Sequence, residues 1–305
     1  MFKYVLGRVI SSIITLLLIA TAVFLILRFI PGTPFTGEIP LHPALEAQIL
    51  AMHNLDAPLH VQYFNYMMDV LRGNLGVSFQ SVGVSVNDML AAGFPVSARL
   101  GLISFGVIIL VGIPLGVLAA LKRGKWPDYT VSVISTIGIA VPSFVLATFL
   151  MYLLGERLSL IPIGGLAEPR AYIGPVIALS GFSIAIIARL TRSSMLDVLG
   201  QDYIRTAKAN GLSYHKIIFK HALKNALIPV VTVLGPLLAG IITGGFVVEG
   251  VFAIPGIGRH LIEAITNRDY SVVTGLTLFF SALFVFMILV VDILYALIDP
   301  RIKLK

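Results

Sequence analysis

The chain has 305 residues, 57% hydrophobic and 12% charged, with no cysteine, a net charge of +7 and a mean hydropathy of +0.97. A soluble globule carries roughly a quarter charged residues, so this composition is that of a polytopic membrane protein. The missing cysteine excludes disulfides, thiolate metal sites and cysteine nucleophiles, and the 6 histidines fall outside the apolar runs, which removes an intramembrane zinc ligand or histidine base.

Phe2 to Arg8 is a short basic start. The apolar run Val9 to Leu27 follows, long enough to cross about 30 Å of hydrocarbon at about 1.5 Å per residue. No A-x-A cleavage site follows it, so residues 1–30 read as a cytoplasmic start and a retained first span. Residues 31–96 form a polar extracytoplasmic segment, with amphipathic helices expected from Pro43 to His53 and from Pro58 to Arg72, the second stopped by Gly73. Residues 97–305 hold five more spans: Leu100 to Leu121, Tyr129 to Gly155, Ala171 to Ala188, Asn225 to Val248 and Tyr270 to Val291. The expected fold class is therefore an all-α polytopic membrane protein with six transmembrane helices and a small helical extracytoplasmic segment.

Prolines 114, 142, 175, 229 and 236 lie inside these spans, where they either kink helices for packing or mark a bundle around a path. Pro142 and Ser143 are candidate path or packing residues on that ground. Asp292 is the one acid embedded in an apolar helix, and so a functional candidate. It also lies one to two turns from the chain's cytoplasmic end, where water or a basic partner is in reach.

Basic residues set the orientation. With the N-terminus inside, the inner segments hold Lys3, Arg8, Lys122, Arg123, Lys125, Arg189, Arg192, Arg205, Lys208, Lys216, Lys220, Lys224, Arg301, Lys303 and Lys305, which is 15 of the 22 lysines and arginines. Both termini are expected in the cytoplasm. So is the polar stretch Asp202 to Pro229, in which two short helical patterns are split by Asn210-Gly211. Gly211 suits a left-handed helix end, and Ser213 can cap the next helix. Tyr214, Ile217, Ile218, His221 and Ala222 recur on one helix face, with Lys216, Lys220 and Lys224 on another. Such a helix either lies on headgroups or docks on an acidic partner.

Thr206-Ala207-Lys208-Ala209-Asn210-Gly211, Ile217-Ile218 and Asn225-Ala226-Leu227-Ile228-Pro229 resemble the cytoplasmic EAA loop of ABC importer permeases, in particular the dipeptide and oligopeptide branch. Arg205 stands where the family has glutamate, which also resembles the peptide branch. Further resemblances are Pro31 to Glu38, Gly73 to Ser78 (with Asn74 where aspartate is usual), Asp128-Tyr129-Thr130, Val141-Pro142-Ser143-Phe144, Arg192-Ser193-Ser194-Met195, Glu249 to Arg259, Asn267 to Tyr270 and Asp292 to Arg301. They cover nearly the whole chain.

The resemblance implies a type I permease fold and the B-type subunit of an oligopeptide importer in the bacterial plasma (inner) membrane. Its implied partners are a homologous second permease, two ATPase subunits, an extracytoplasmic peptide-binding protein, peptide substrate and lipid, with no nucleic acid. Residues 193–225 become the coupling loop, with Arg205, Thr206, Ala207, Gly211, Leu212, Ser213, Tyr214 and Ile217 as its candidate site. Glu249, Phe252, Pro255, Gly256 and Gly258 mark the binding-protein or gate side; that connection is too apolar for a solvated loop and is expected to fold back on the bundle. Phe252 and Ile257 are expected within reach of another subunit.

No G-x-x-x-x-G-K-[ST] motif occurs, so the expectation is a transport subunit without catalytic residues, metal or bound cofactor of its own, ATP and Mg being held by the partner ATPases. Two other classes compete. An ion-coupled secondary transporter would place ionisable groups near the midplane and often shows a repeat, of which none is evident. An intramembrane hydrolase would need a facing base, and histidine is absent there. Within the resembling family, dipeptides or nickel complexes are alternative cargoes.

Overall fold

The computed structural model describes residues 2–30, 51, 55–81 and 83–298. The motif from Pro31 to Glu38, the helix expected from Pro43 to His53 and the terminal Asp299-Pro300-Arg301 lie outside these, apart from Ala51. So does the side chain of Asp292, whose backbone is helical.

Among the described residues the architecture is all helical. Helix α1 (Phe2–Phe29) is followed by α2 (Leu59–Leu71), which ends at Arg72 before Gly73 turns the chain at φ +79°. Next comes α3 (Val86–Leu121), started by Ser85, whose Oγ accepts the Asp88 N–H at 3.1 Å. The expected span began at Leu100. The helix begins fourteen residues earlier because Pro95 is accommodated inside it and the Ser85 cap, not the proline, sets its start. A π turn at Ile108–Gly112 contains Leu110, whose carbonyl would otherwise face the missing N–H of Pro114.

The run expected as one span from Tyr129 to Gly155 is two helices, α4 (Trp126–Ala140) and α5 (Ser143–Arg157), bent by 100°. Pro142 has no N–H to continue α4 and drives Val141 out of the helical region, to φ −87°, ψ 118°. Then follow α6 (Ile173–Leu199) and the short α7 (Asp202–Ala209). Helix α8 opens with one α turn (Tyr214–Lys216), widens to π geometry (Ile217–Ala222) and runs on as Leu223–Gly244 with Pro229 and Pro236 inside it. Two short helices, α9 (Phe246–Val251) and α10 (Ile257–Thr266), lead to α11 (Tyr270–Ile298).

Among the described residues five helical stretches are long and apolar enough to cross a membrane, and the α4–α5 pair, taken as one broken span, makes a sixth. The packing shows that the bent pair does connect the two ends of the bundle. One end is a buried cluster of Ala120, Met195, Ile204, Ile217, Ile218 and Ala222, which joins α3, α6, α7 and α8. Asp128, at the start of α4, binds Arg192 of α6 at this same end. The other end holds Leu100, Ala147, Leu150, Ile161, Phe252 and Ile254, and there α5 packs. Helices α3 and α6 cross at close range: a Cβ on Gly116 would lie 2.5 Å from the Ala188 carbonyl and from Thr191 Cβ, so only glycine permits this approach.

Candidate functional site

At the α7 end, the chain from Asp202 to Asn225 builds a compact loop. Helix α7 is closed by a double hydrogen bond: the Gly211 N–H donates to the Lys208 carbonyl at 3.0 Å and the Leu212 N–H to the Ala207 carbonyl at 3.2 Å. With Gly211 at φ +75° this is a Schellman turn, completed by Leu212 packing on the cluster that contains Ala207. Nothing lies within 4 Å of where a Gly211 Cβ would be, so backbone conformation, and not crowding, requires glycine here.

Inward-facing residues anchor the loop. Ile204, Ile217 and Ile218 are buried, and the Asn225 side-chain amide donates to the Tyr203 hydroxyl at 2.8 Å, tying α7 to α8. Outward stand Tyr214 (61% exposed) and Phe219 (58%), the latter stacked on His215 with centroids 5.7 Å apart. Around them Arg205, Lys208, Lys216, Lys220 and Lys224 are exposed. Arg205 makes a loose 3.3 Å pair with Asp202, and Thr206 Oγ1 donates to the Asp202 carbonyl. The surface is thus an aromatic knob in a basic collar.

One expectation needs correction. Ser213 occupies the N-cap position, yet its side chain makes no capping bond; only its carbonyl accepts the Ile217 N–H at 3.1 Å. Tyr214, in the single α turn at the tip, is 61% exposed, while Ile217 three residues on is buried. Of the named loop residues, Ala207 and Ile217 therefore support the loop, while Arg205, Thr206, Ser213 and Tyr214 face outward.

At the opposite end, Glu249 is 3% exposed, and its Oε2 accepts the Gly258 N–H at 2.9 Å. Beside it, Ser97 of α3 accepts the Ile257 N–H at 3.0 Å. A Cβ on Gly258 would lie 2.3 Å from Phe246 Cα, and one on Gly256 would strike the Glu249 carboxylate. The connection does fold back on the bundle, with Pro255 exposed at its crest. Phe252 and Ile257 are each 1% exposed, so both pack inside this chain rather than on its surface. Pro142 and Ser143 are exposed at the α4–α5 bend.

Two pairings went unread in the sequence although their motifs were noticed. Asp128 meets Arg192 across α4 and α6. Asp269 accepts from Ser78 Oγ at 2.5 Å and from the N–H groups of Phe79 and Gln80, pinning the segment after α2 to the start of α11. Asn74 accepts the Gly76 N–H through Oδ1 at 3.0 Å, an acceptor role that the usual aspartate would fill equally.

Residues 112–304 match the model of the binding-protein-dependent transport system inner membrane component, and residues 1–100 match its N-terminal counterpart. The chain belongs to this family. This permease is 46% identical over 304 residues to the dipeptide transport system permease protein DppB of Bacillus subtilis (strain 168), covering 100% of this chain and 99% of that one. It is 44% identical over 305 residues to the oligopeptide transport system permease protein OppB of Salmonella typhimurium (strain LT2), covering 99% and 100%. Its fold is that of the inward-facing MetNI methionine ABC transporter, at a TM-score of 0.58 and 19% identity over 69% of this chain and 96% of that one. The chain is accordingly a multi-pass membrane permease subunit of an ABC importer.

Proposed function

We propose that this permease carries short peptides inward, with both termini and the 193–225 loop in the cytoplasm and the Glu249 connection outside. In this reading the aromatic knob of Tyr214 and Phe219, within its collar of lysines, seats in an acidic cleft of a separate ATPase subunit, which binds ATP and Mg. A second, homologous permease completes the path, and an extracytoplasmic binding protein delivers the peptide.

The observation that carries this reading is the rigid presentation of exposed aromatics by the Schellman turn and the Tyr203–Asn225 bond. A helix lying on headgroups does not require its angle to be fixed on both sides. The peptide cargo is supported by full-length identity to permeases named for dipeptides and oligopeptides.

ATP-driven uptake of labelled di-, tri- and pentapeptides into proteoliposomes of the assembled complex tests the proposal and sets the cargo length. Uptake driven by a proton or sodium gradient without ATP would overturn it.

A further inference from the structure

Helix α2 is hung on the neighbouring ends of two spans, and where it hangs fixes its height in the bilayer. Arg28 near the end of α1 and Tyr270 at the start of α11 line one groove beside α2, so these two ends are adjacent. The Tyr63 hydroxyl shares a 2.8 Å hydrogen bond with Thr21 Oγ1, and the rings of Tyr63 and Tyr66 lie 5.4 and 5.7 Å from that of Phe24. Thr21 and Phe24 come eight and five residues before Phe29, where the first apolar stretch ends, and so lie about 12 and 8 Å below that end at about 1.5 Å per residue. Just past the other end of α2, the chain packs on α11: a Cβ on Gly275 would lie 2.6 Å from the Leu75 carbonyl oxygen. Gly275 is five residues, or about 8 Å, from Tyr270, where the last apolar stretch begins. With about 30 Å of hydrocarbon centred on each stretch, both ends of α2 come level at about 5–9 Å below its edge, and the helix lies flat.

The side of α2 turned away from Tyr63 and Tyr66 carries Val61, Phe64, Met68 and Leu71, spaced three, four and three residues apart and hence on one helix face. Phe64 and Leu71 are 63% and 74% exposed. A solvated helix puts charge on such a face, but here the one acid of α2, Asp69, lines the groove toward α1 and α11 instead. Beside α2, the same end of α1 exposes Leu25, Ile26 and Phe29. The non-helical backbone flanking α2 is satisfied by side-chain amides. Gln62 Nε2 donates to the carbonyls of Leu55 at 3.0 Å and Ala57 at 2.7 Å. Asn87 Nδ2 donates to the Gly73 carbonyl at 2.7 Å, its Oδ1 accepts the Leu75 N–H at 3.0 Å, and Asn74 Oδ1 accepts the Gly76 N–H. Irregular backbone at membrane depth needs such internal partners, because no water supplies them.

We propose that α2 is an interfacial helix, lying in the plane of the leaflet in which α1 ends, with Val61, Phe64, Met68 and Leu71 against phospholipid acyl chains. A depth of about 5–9 Å falls in the range of about 5–10 Å at which amphipathic helices lie in a bilayer. Arg72, just after the helix, carries its guanidinium to the headgroups along its apolar stem. The assignment rests on heights along α1 and α11, so it holds for either orientation of the chain and for any cargo. It also gives the leaflet a grip on two spans, since the segment after α2 is bonded to Asn87 of α3 and, through Ser78, to Asp269 at the start of α11.

The test uses the full-length chain in its assembled complex, the other subunits freed of cysteine, in phosphatidylcholine and phosphatidylglycerol nanodiscs. Nitroxide labels at Phe64→Cys, Met68→Cys and Leu71→Cys should collide with oxygen severalfold more often than with a water-soluble nickel chelate, and the ratio should report a depth of about 5–10 Å. Collisions dominated by the nickel chelate would show a solvated face, and protection from both reagents would show a face covered by protein; either result overturns the proposal. In native membranes, a benzophenone amino acid at Phe64 or Leu71 should yield phospholipid adducts of the permease by mass spectrometry. Adducts to another subunit in place of lipid would make this face a protein interface and overturn the proposal as well. Neither readout depends on peptide uptake, so failure of the proposed cargo leaves this inference standing, and the reverse holds too.

Discussion

Arg192 and Asp128 stand 64 residues apart and meet through two hydrogen bonds, Nε to Oδ1 at 2.5 Å and Nη2 to Oδ2 at 2.9 Å. The Gly124 N–H adds a third to the same carboxylate at 3.0 Å. The pair fastens the first turn of α4 to the C-terminal part of α6, at the same end as the loop that presents Tyr214. Its burial is lopsided, with side-chain exposures of 6% for Asp128 and 31% for Arg192. Removing either partner should destabilise the detergent-solubilised protein, and a double-mutant cycle of Asp128→Ala and Arg192→Ala should return a coupling of about 1–3 kcal/mol. A cycle that sums to zero in thermal denaturation would show that the bonds are incidental.

Gly211 permits a graded prediction. Its demand is for positive φ alone, so Gly211→Asn, which tolerates that conformation, should keep most of the transport activity. Gly211→Val should strain the turn by about 1 kcal/mol or more, tilt α8 against α7 and abolish uptake while leaving membrane abundance unchanged. Equal activity in the two variants would refute the role of the turn.

Buried Glu249 serves as acceptor for a segment with little room for other partners. Glu249→Gln retains an oxygen for the Gly258 N–H. Glu249→Leu leaves that N–H unpaired, at about 1–3 kcal/mol. Limited trypsin digestion should accordingly cut after Arg259 faster in Glu249→Leu than in Glu249→Gln or the parent chain.

Exposure separates the surfaces from their supports. A photocrosslinking residue at Tyr214 or Phe219 should capture the ATPase subunit, whereas one at Phe252 or Ile257 should capture only this chain. The absence of cysteine makes orientation readable as well. Ser81→Cys should react with an impermeant reagent in intact cells and Ser213→Cys only after the membrane is opened.

The spans, the end of α2 at Gly73 and the left-handed turn at Gly211 were legible because each rests on a local property: apolar length, or the backbone freedom of one residue. Pairings between distant motifs were not. Asp128 and Arg192 read separately as ends of spans, and nothing local in either says that α4 and α6 bring them together. The break at Val141-Pro142 lay between two outcomes for proline, a mild kink or a full change of direction. Which of these occurs depends on what α5 packs against at the far end, here Ile161 and Phe252. Helical spacing puts Tyr214 on one face with Ile217 but does not say where the covering cluster stops, so its 61% exposure beside the buried Ile217 was not legible.

Helix α3 is 36 residues long and touches both candidate surfaces, with Ala120 in the cluster under the basic loop and Ser97 bonded to the Ile257 N–H at the other end. About 35 Å of helix separates those two residues at about 1.5 Å per residue. It is a lever interrupted by Pro95 and by the π turn at Ile108–Gly112. If it swings as a stiff arm by about ten degrees about its Ala120 end, Ser97 and whatever is hung from it travel sideways by about 6 Å, comparable to a full helical turn.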